Sequence, residues 1–224
     1  MKKKIGNPDQ INDNLKKLIN RLIINNFYIK NQKDFRDRIL DEIQSNDSVL
    51  DIGMAMREKH NLIKCKNLET LDANDFGDYP DIICDICSDI SGLEKKYDKI
   101  ICLAILEHVY DPFKAVLNLR NMLSDDGIIY GFVPYLYHYH APKNLKFQDY
   151  FRFSKDSLAY LFKDFSYVEI FPLRGRISTP LNILFAGRWK KYIERTGINI
   201  FLDKLARDEK NLQQCSGYNF IIKK

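Results

Sequence analysis

The sequence predicts an α/β protein built on a mostly parallel sheet with helices on both faces. Two observations carry this reading. Short β-branched runs alternate with helical or loop segments along most of the chain, the pattern that crossover connections leave. The chain also has 224 residues, 45% of them hydrophobic and 29% charged. That is enough for one large domain that buries a core without a disulfide or metal staple.

Residues 1–44 read as a helical preamble, and residues 45–224 as the main domain. In the preamble Leu15, Leu18, Ile19, Leu22 and Ile23 recur at helical spacing, and Phe35, Ile39 and Ile43 do so again. Seven strands are expected: Ser48–Ile52, Asn67–Leu71, Asp81–Cys84, Lys99–Leu103, Gly127–Val133, Tyr167–Phe171 and Gly217–Ile222. Helices are expected over Pro112–Leu123 and Ser157–Phe165, with one or two more between Pro180 and Gln213. Ser124-Asp125-Asp126-Gly127 reads as a turn before a strand. Only about nine residues separate Leu71 from Asp81, short of the dozen or more that a parallel crossover takes. The third strand is therefore an edge strand on a tight loop, or misplaced.

Composition excludes several classes. The longest apolar run, Ile100 to Leu106, is seven residues, and a membrane helix takes about 20. Met1-Lys2-Lys3-Lys4 is followed by Gly6-Asn7-Pro8-Asp9-Gln10 rather than an apolar stretch, so export is not expected and a cytoplasmic setting is. The net charge of +5 is spread along the chain, with lysines interleaved with Asp and Glu. A solvated surface explains that better than a nucleic-acid footprint. Of five cysteines, Cys84 and Cys87 form a CxxC without a second pair. They read as small hydrophobes rather than as a zinc site.

The first site motif is Val49-Leu50-Asp51-Ile52-Gly53-Met54-Ala55, an apolar strand running into Asp-x-Gly-x-Ala. Ligands of open α/β sheets bind beyond the carboxyl ends of strands, and Gly53 lets the backbone approach one closely. Asp72 closes the second strand, 21 residues after Asp51. A carboxylate there can accept from both hydroxyls of a ribose, which argues for an adenosine-containing cofactor. Turn or cap chemistry is the bland reading of each aspartate. A dinucleotide is disfavoured because the loop has one glycine where G-x-G-x-x-G is needed. The Tyr139/Lys143 pair of short-chain dehydrogenase spacing contains Pro142, which forbids a helix interior.

Asp51-x-Gly53, Asp72 and the stretch Tyr97-Asp98-Lys99-Ile100 through Leu106-Glu107-His108-Val109-Tyr110-Asp111-Pro112 resemble class I S-adenosylmethionine-dependent methyltransferases. Within that class they look most like the small-molecule group of ubiquinone-pathway and surface-polysaccharide enzymes. The resemblance covers roughly residues 45–170. It implies a Rossmann-like fold with a seven-stranded, mostly parallel sheet, and S-adenosyl-L-methionine as cofactor. By that resemblance Asp51, Gly53 and Ala55 line the methionine end, and Asp72 holds the ribose. Asp85 bonds the adenine amino group, Ile86 covers the ring face, and Leu103 and Ala104 pass beneath the cofactor. The family's G-x-G-x-G has Ala55 and Arg57 in place of its second and third glycines. Arg57 pairs with the cofactor's carboxylate, or is a solvated residue opening a helix.

Methyl transfer from a sulfonium is an in-line displacement in which the protein mainly aligns the partners. A hydroxyl acceptor also has a proton to lose, which makes histidine the natural base. His108 follows the fourth strand; its bland reading is a cap. His138 and His140 follow the fifth strand, in Pro134-Tyr135-Leu136-Tyr137-His138-Tyr139-His140-Ala141-Pro142, and residues two apart on a strand share a face. Tyr135, Asp149, Tyr150 and Arg152 are expected around the acceptor. The His-x-His pair with Asp149 lacks a full ligand set, so no metal is expected. Lys143, Lys146, Arg152, Arg174 and Arg176 are either surface charge or a basic mouth for an anionic acceptor. No Asn/Asp-Pro-Pro-Tyr stretch follows the fourth strand, which argues against base methylation of nucleic acid. The expected activity is methyl transfer to oxygen of a small polar acceptor such as a sugar, or a phosphorylated or phosphoramidate polysaccharide intermediate. Transfer to a small amine, or a relative that has lost catalysis, are the alternatives. No nucleic-acid or membrane partner is expected.

Overall fold

The computed structural model describes residues 8–24, 32–141, 146–185, 196–205 and 213–224. Eight strands form one sheet: β1 (Ile23–Ile24), β2 (Ser48–Ile52), β3 (Asn67–Asp72), β4 (Ile82–Ile83), β5 (Tyr97–Leu103), β6 (Leu123–Pro134), β7 (Tyr167–Leu173) and β8 (Gly217–Lys223). Their spatial order is β1-β7-β8-β6-β5-β2-β3-β4. All neighbours are parallel except β8, which runs antiparallel to both β6 and β7. The seven expected strands are present, and the eighth is the two-residue β1 at the edge, contributed by the preamble. Helices α1 (Pro8–Arg21), α2 (Gln32–Glu42), α3 (Pro112–Met122), α4 (Lys155–Leu161), α5 (Ser178–Leu184) and α6 (Ile198–Leu205) complete the described elements. No described helix is long and apolar enough to cross a membrane.

The two faces of the sheet follow from the period of two along each strand. On β5, Ile100 and Cys102 join the cluster beneath α3 and α4, with Ala115, Leu119, Leu158 and Phe162. Ile101 and Leu103 point the other way, into a second cluster with Phe35, Ile39 and Ile43 of the preamble. The preamble's apolar spacing is thus a core face.

Among the boundaries that differ from expectation, three have a visible cause. The third strand shrinks to Ile82–Ile83 at the sheet edge, because Asp81 is engaged sideways. Its Oδ2 accepts from the Thr70 amide at 2.8 Å and the Thr70 hydroxyl at 2.7 Å. Ser124–Gly127 is not a turn but an irregularity inside β6. Tyr97 pairs Leu123 while Lys99 pairs Ile128, so the extra residues of β6 bulge from the ladder. Helix α4 begins earlier, at Lys155, because the Ser154 hydroxyl accepts from the Ser157 amide. Helix α3 matches its signals: Asp111 caps it by accepting from the Lys114 amide at 3.0 Å, and Pro112 opens it.

The connection from β2 to β3 holds only a 3₁₀ helix (Arg57–Leu62), and those from β3 through β4 to β5 hold no described helix. The carboxyl ends of β2, β3 and β5 are therefore flanked by loops.

Candidate active site

Those strand ends open into a cavity of about 490 Å³, within the usual range for small-molecule sites. Gly53, at the end of β2, has φ +76°, and a Cβ there would lie 2.4 Å from Ile105 Cδ1. Only glycine keeps this wall clear. The Gly53 amide donates to the Leu71 carbonyl at 2.9 Å, and its own carbonyl accepts from the buried Tyr79 hydroxyl. At the end of β5, Ala104 also has a left-handed φ, +57°, an uncommon conformation for a residue with a side chain. Its amide donates to the Phe132 carbonyl at 3.0 Å, which holds it there.

Gly53, Ala55, Asp72, Asp85, Ile86, Leu103 and Ala104 all line this cavity. Asp72 Oδ1 accepts from the Asn74 amide at 2.9 Å, so the turn reading and the cavity reading are both met. Asp85 Oδ1 accepts from the Cys87 amide at 2.8 Å, and Oδ2 from the Tyr110 hydroxyl at 3.2 Å. Asp51 is elsewhere. It is fully buried behind the wall, 2.6 Å from His60 Nε2. Burial pushes its carboxyl up from the ordinary range, and the His60 ring opposes that. His60 has no motif that would have marked it; only the turn after β2 brings it to Asp51.

Neither Ala55 nor Arg57 has a positive φ. The departures from the glycine-rich pattern therefore carry no left-handed strain. Arg57 sits 3.5 Å from Asp78 Oδ1, and its guanidinium lies over the Tyr79 ring.

The acceptor-side residues divide. His108, His140 and Tyr150 line the cavity. Tyr135 does not; it packs on the core near Tyr218. His138 does not either, and its ring stacks on Tyr137 at 4.2 Å. Asp149 and Arg152 stand behind the wall as a forked pair, with Arg152 Nη1 on Oδ1 and Nη2 on Oδ2 at 2.6 Å. The Arg152 guanidinium holds the Asp149 carboxyl down to about 2. Asp149 Oδ2 in turn accepts from the His140 amide at 3.0 Å. Of the residues of the basic mouth, Lys146 is on the wall, Arg152, Arg174 and Arg176 do not line the cavity, and Lys143 lies outside the described residues. Cys84 also lines the cavity, and all five thiols are free.

One carboxylate of the Leu106-Glu107-His108-Val109 motif had no role assigned from the sequence. Glu107 is completely buried, with its Oε1 3.7 Å from both His108 Nε2 and His140 Nε2. Its place between an apolar run and a histidine was the available signal. Its backbone carbonyl accepts from the Tyr150 and Phe151 amides at 2.8 and 3.2 Å, stitching the loop after β5 to the segment after β6.

No protein-family model and no curated protein matches the sequence. Solved structures do match in shape. A methyltransferase from Archaeoglobus fulgidus that depends on S-adenosylmethionine (SAM) superposes with a TM-score of 0.52 at 18% identity, over 84% of this chain and 90% of that one. Coclaurine N-methyltransferase bound to N-methylheliamine and S-adenosylhomocysteine (SAH) gives 0.53 at 14% identity, over 99% and 90%. The fold is that of SAM-dependent methyltransferases. Phosphoethanolamine N-methyltransferase 2 of Haemonchus contortus, in complex with S-adenosyl-L-methionine, gives 0.53 at 12% identity, over 89% of this chain and 54% of that one. In this methyltransferase fold the cavity occupies the carboxyl ends of the central parallel strands, where open α/β sheets bind ligands.

Proposed function

We propose that the chain is a SAM-dependent methyltransferase acting on an oxygen of a small polar acceptor. The supporting observation is the cavity. Its lining brings together the Gly53 cradle, which a Cβ would fill, the carboxylates of Asp72 and Asp85, and two imidazoles. The residues present fit the cofactor. Asp72 would hold ribose hydroxyls, Asp85 with Ile86 the adenine, and the Gly53 backbone the methionine end. When bound, the cofactor supplies an electrophilic methyl group on a sulfonium. His108 and His140 face the cavity and orient the acceptor or take its proton.

Lys146 on the cavity wall supports an anionic acceptor, such as a sugar or a phosphorylated or phosphoramidate intermediate of surface polysaccharide. The proposed setting is the cytoplasm, where free thiols stay reduced. Transfer to an amine is the second reading, since two structures of similar shape are of N-methyltransferases.

Calorimetry with SAM and SAH tests the core of this proposal. Both bind, and Asp72→Ala weakens each about tenfold or more, because hydrogen bonds to a charged group contribute about 1.5–3 kcal/mol. Equal affinity in the variant would remove Asp72 from the ribose. A screen of hydroxyl and amine acceptors with labelled cofactor then separates oxygen from nitrogen.

A further inference from the structure

The His108, His140 and Glu107 side chains converge in a way that neither a general base nor a fold-capping role requires. The sequence discounted a metal at His138, His140 and Asp149, and those three do not form the cluster. Glu107, His108 and His140 do, with ligand atoms all within 4.8 Å of one another.

The hydrogen bonds fix which nitrogens face inward. His108 Nδ1 lies 2.6 Å from the Gln148 carbonyl, which only accepts, so Nδ1 carries the hydrogen. His140 Nδ1 lies 3.3 Å from Asp149 Oδ2 and 3.3 Å from the His138 carbonyl, again acceptors only. In each neutral ring the lone pair is therefore on Nε2. Both Nε2 atoms face the same Glu107 oxygen at the same 3.7 Å. The Glu107 side chain is wholly buried, and among the described residues neither of its oxygens has a hydrogen-bond partner. A buried carboxylate left so is costly and calls for a cation. A charge-assisted hydrogen bond would draw one nitrogen to about 2.7–2.9 Å. Two nitrogens at the same 3.7 Å from one oxygen, with all three ligand atoms within 4.8 Å of one another, instead approach the spacing of ligands around one ion. Nitrogen and oxygen ligands about 2.0–2.2 Å from a tetrahedral ion stand about 3.4 Å apart.

We infer that Glu107, His108 and His140 form a binding site for one divalent transition-metal ion of the zinc class, open toward the cavity. The outer partners have the form that metal-binding histidines use: each distal N–H is held by a carbonyl or carboxylate. Arg152 fixes Asp149, and Asp149 fixes His140. Three protein ligands leave a position for a water or an acceptor oxygen. His108 and His140 lie on the cavity wall, so that position faces the space assigned to the acceptor. With both Nε2 lone pairs on the ion, the ion would take over the imidazoles' part in deprotonation: it would lower the pKa of a coordinated hydroxyl, whose proton leaves to solvent. This role for the ion rests on the methyltransferase reading; the site itself does not.

The test uses the full chain, stripped with a chelator and dialysed against zinc chloride at pH 7.5. The expected result is one zinc per chain. Glu107→Gln and His140→Ala each weaken binding at least about 100-fold, and Asp149→Asn about 10–100-fold. No stoichiometric uptake by the wild-type chain overturns the site, as does wild-type affinity in Glu107→Gln. Cobalt(II) loaded into the wild-type chain provides a reading that no variant's folding can spoil. The intense visible bands of a four- or five-coordinate site, displaced by zinc, support the site; a weak octahedral spectrum overturns it. Calorimetry with SAM on the same samples keeps the two readings apart. Zinc uptake without cofactor binding sinks the methyltransferase proposal alone, and cofactor binding without zinc uptake sinks the metal site alone.

Discussion

Gly53 and Ile105 stand so close that a single added carbon would bring them into collision: a Cβ on Gly53 falls 2.4 Å from Ile105 Cδ1. Gly53 also holds φ +76°. The contact joins the end of β2 to the loop after β5, the two segments that frame the cavity.

Gly53→Ala should therefore fail twice. The left-handed backbone costs about 1–2 kcal/mol with a Cβ. The displaced Ile105 side chain, which lines the cavity, intrudes on it. Cofactor affinity should fall about tenfold or more and the melting temperature by a few degrees. Wild-type affinity by calorimetry would show that the cradle does not face the cofactor.

Arg152 was expected at the mouth of the acceptor pocket, where losing it would raise the acceptor KM. Its guanidinium is instead committed to Asp149. Arg152→Ala and Asp149→Ala should each lower kcat about tenfold, and the double variant should lose no more than either alone, because both act through His140. The acceptor KM should stay level in Arg152→Ala. Additive losses in a steady-state cycle would refute the relay.

His138 and His140, two residues apart after the fifth strand, were both read as candidate bases. Only His140 reaches the cavity. His138 contributes a carbonyl to Arg152 and His140, which substitution preserves. His138→Ala should retain turnover within about threefold, while His140→Ala should lose about 10²–10⁴ in kcat. Equal losses in parallel assays would return His138 to the site.

Stability should depend on Glu69, which joins β3 to β5. The Tyr97 hydroxyl donates to it at 2.5 Å and Lys95 pairs with it at 2.9 Å. These contacts, Tyr97 foremost, hold its carboxyl below the ordinary 4.5. A carboxyl depressed in the folded state stabilises above its unfolded value, and that stability goes as pH falls through the folded value. Glu69→Gln should cost about 1 kcal/mol at pH 7, the margin of a charge-assisted over a neutral bond. Urea melts at pH 7 and pH 3 check this, and the gap should close at the lower pH.

The alternation of apolar runs was enough to locate all seven main strands and α3, because burial on both faces leaves a continuous signal in the chain. The same holds for one part of the cavity lining. Asp72 and Leu103 end their strands, Gly53 and Asp85 follow theirs within two residues, and strand ends in a parallel sheet all open on one edge, so position along the chain predicts position in space.

Where the chain leaves the strands, that correspondence ends. Asp51 and Asp72 look equivalent in sequence, yet Asp51 turns inward to His60 while Asp72 lines the cavity. Sequence determined that histidines would gather beyond β5 and β6. Only tertiary structure decided that His140 would join His108 and His138 would not. It also decided that the buried Glu107, a motif residue with no role assigned from the sequence, would stand close to both rings. The reason is physical: loop geometry is set by hydrogen bonds between distant segments, such as those from the Tyr150 and Phe151 amides to the Glu107 carbonyl. Such bonds have no period along the chain.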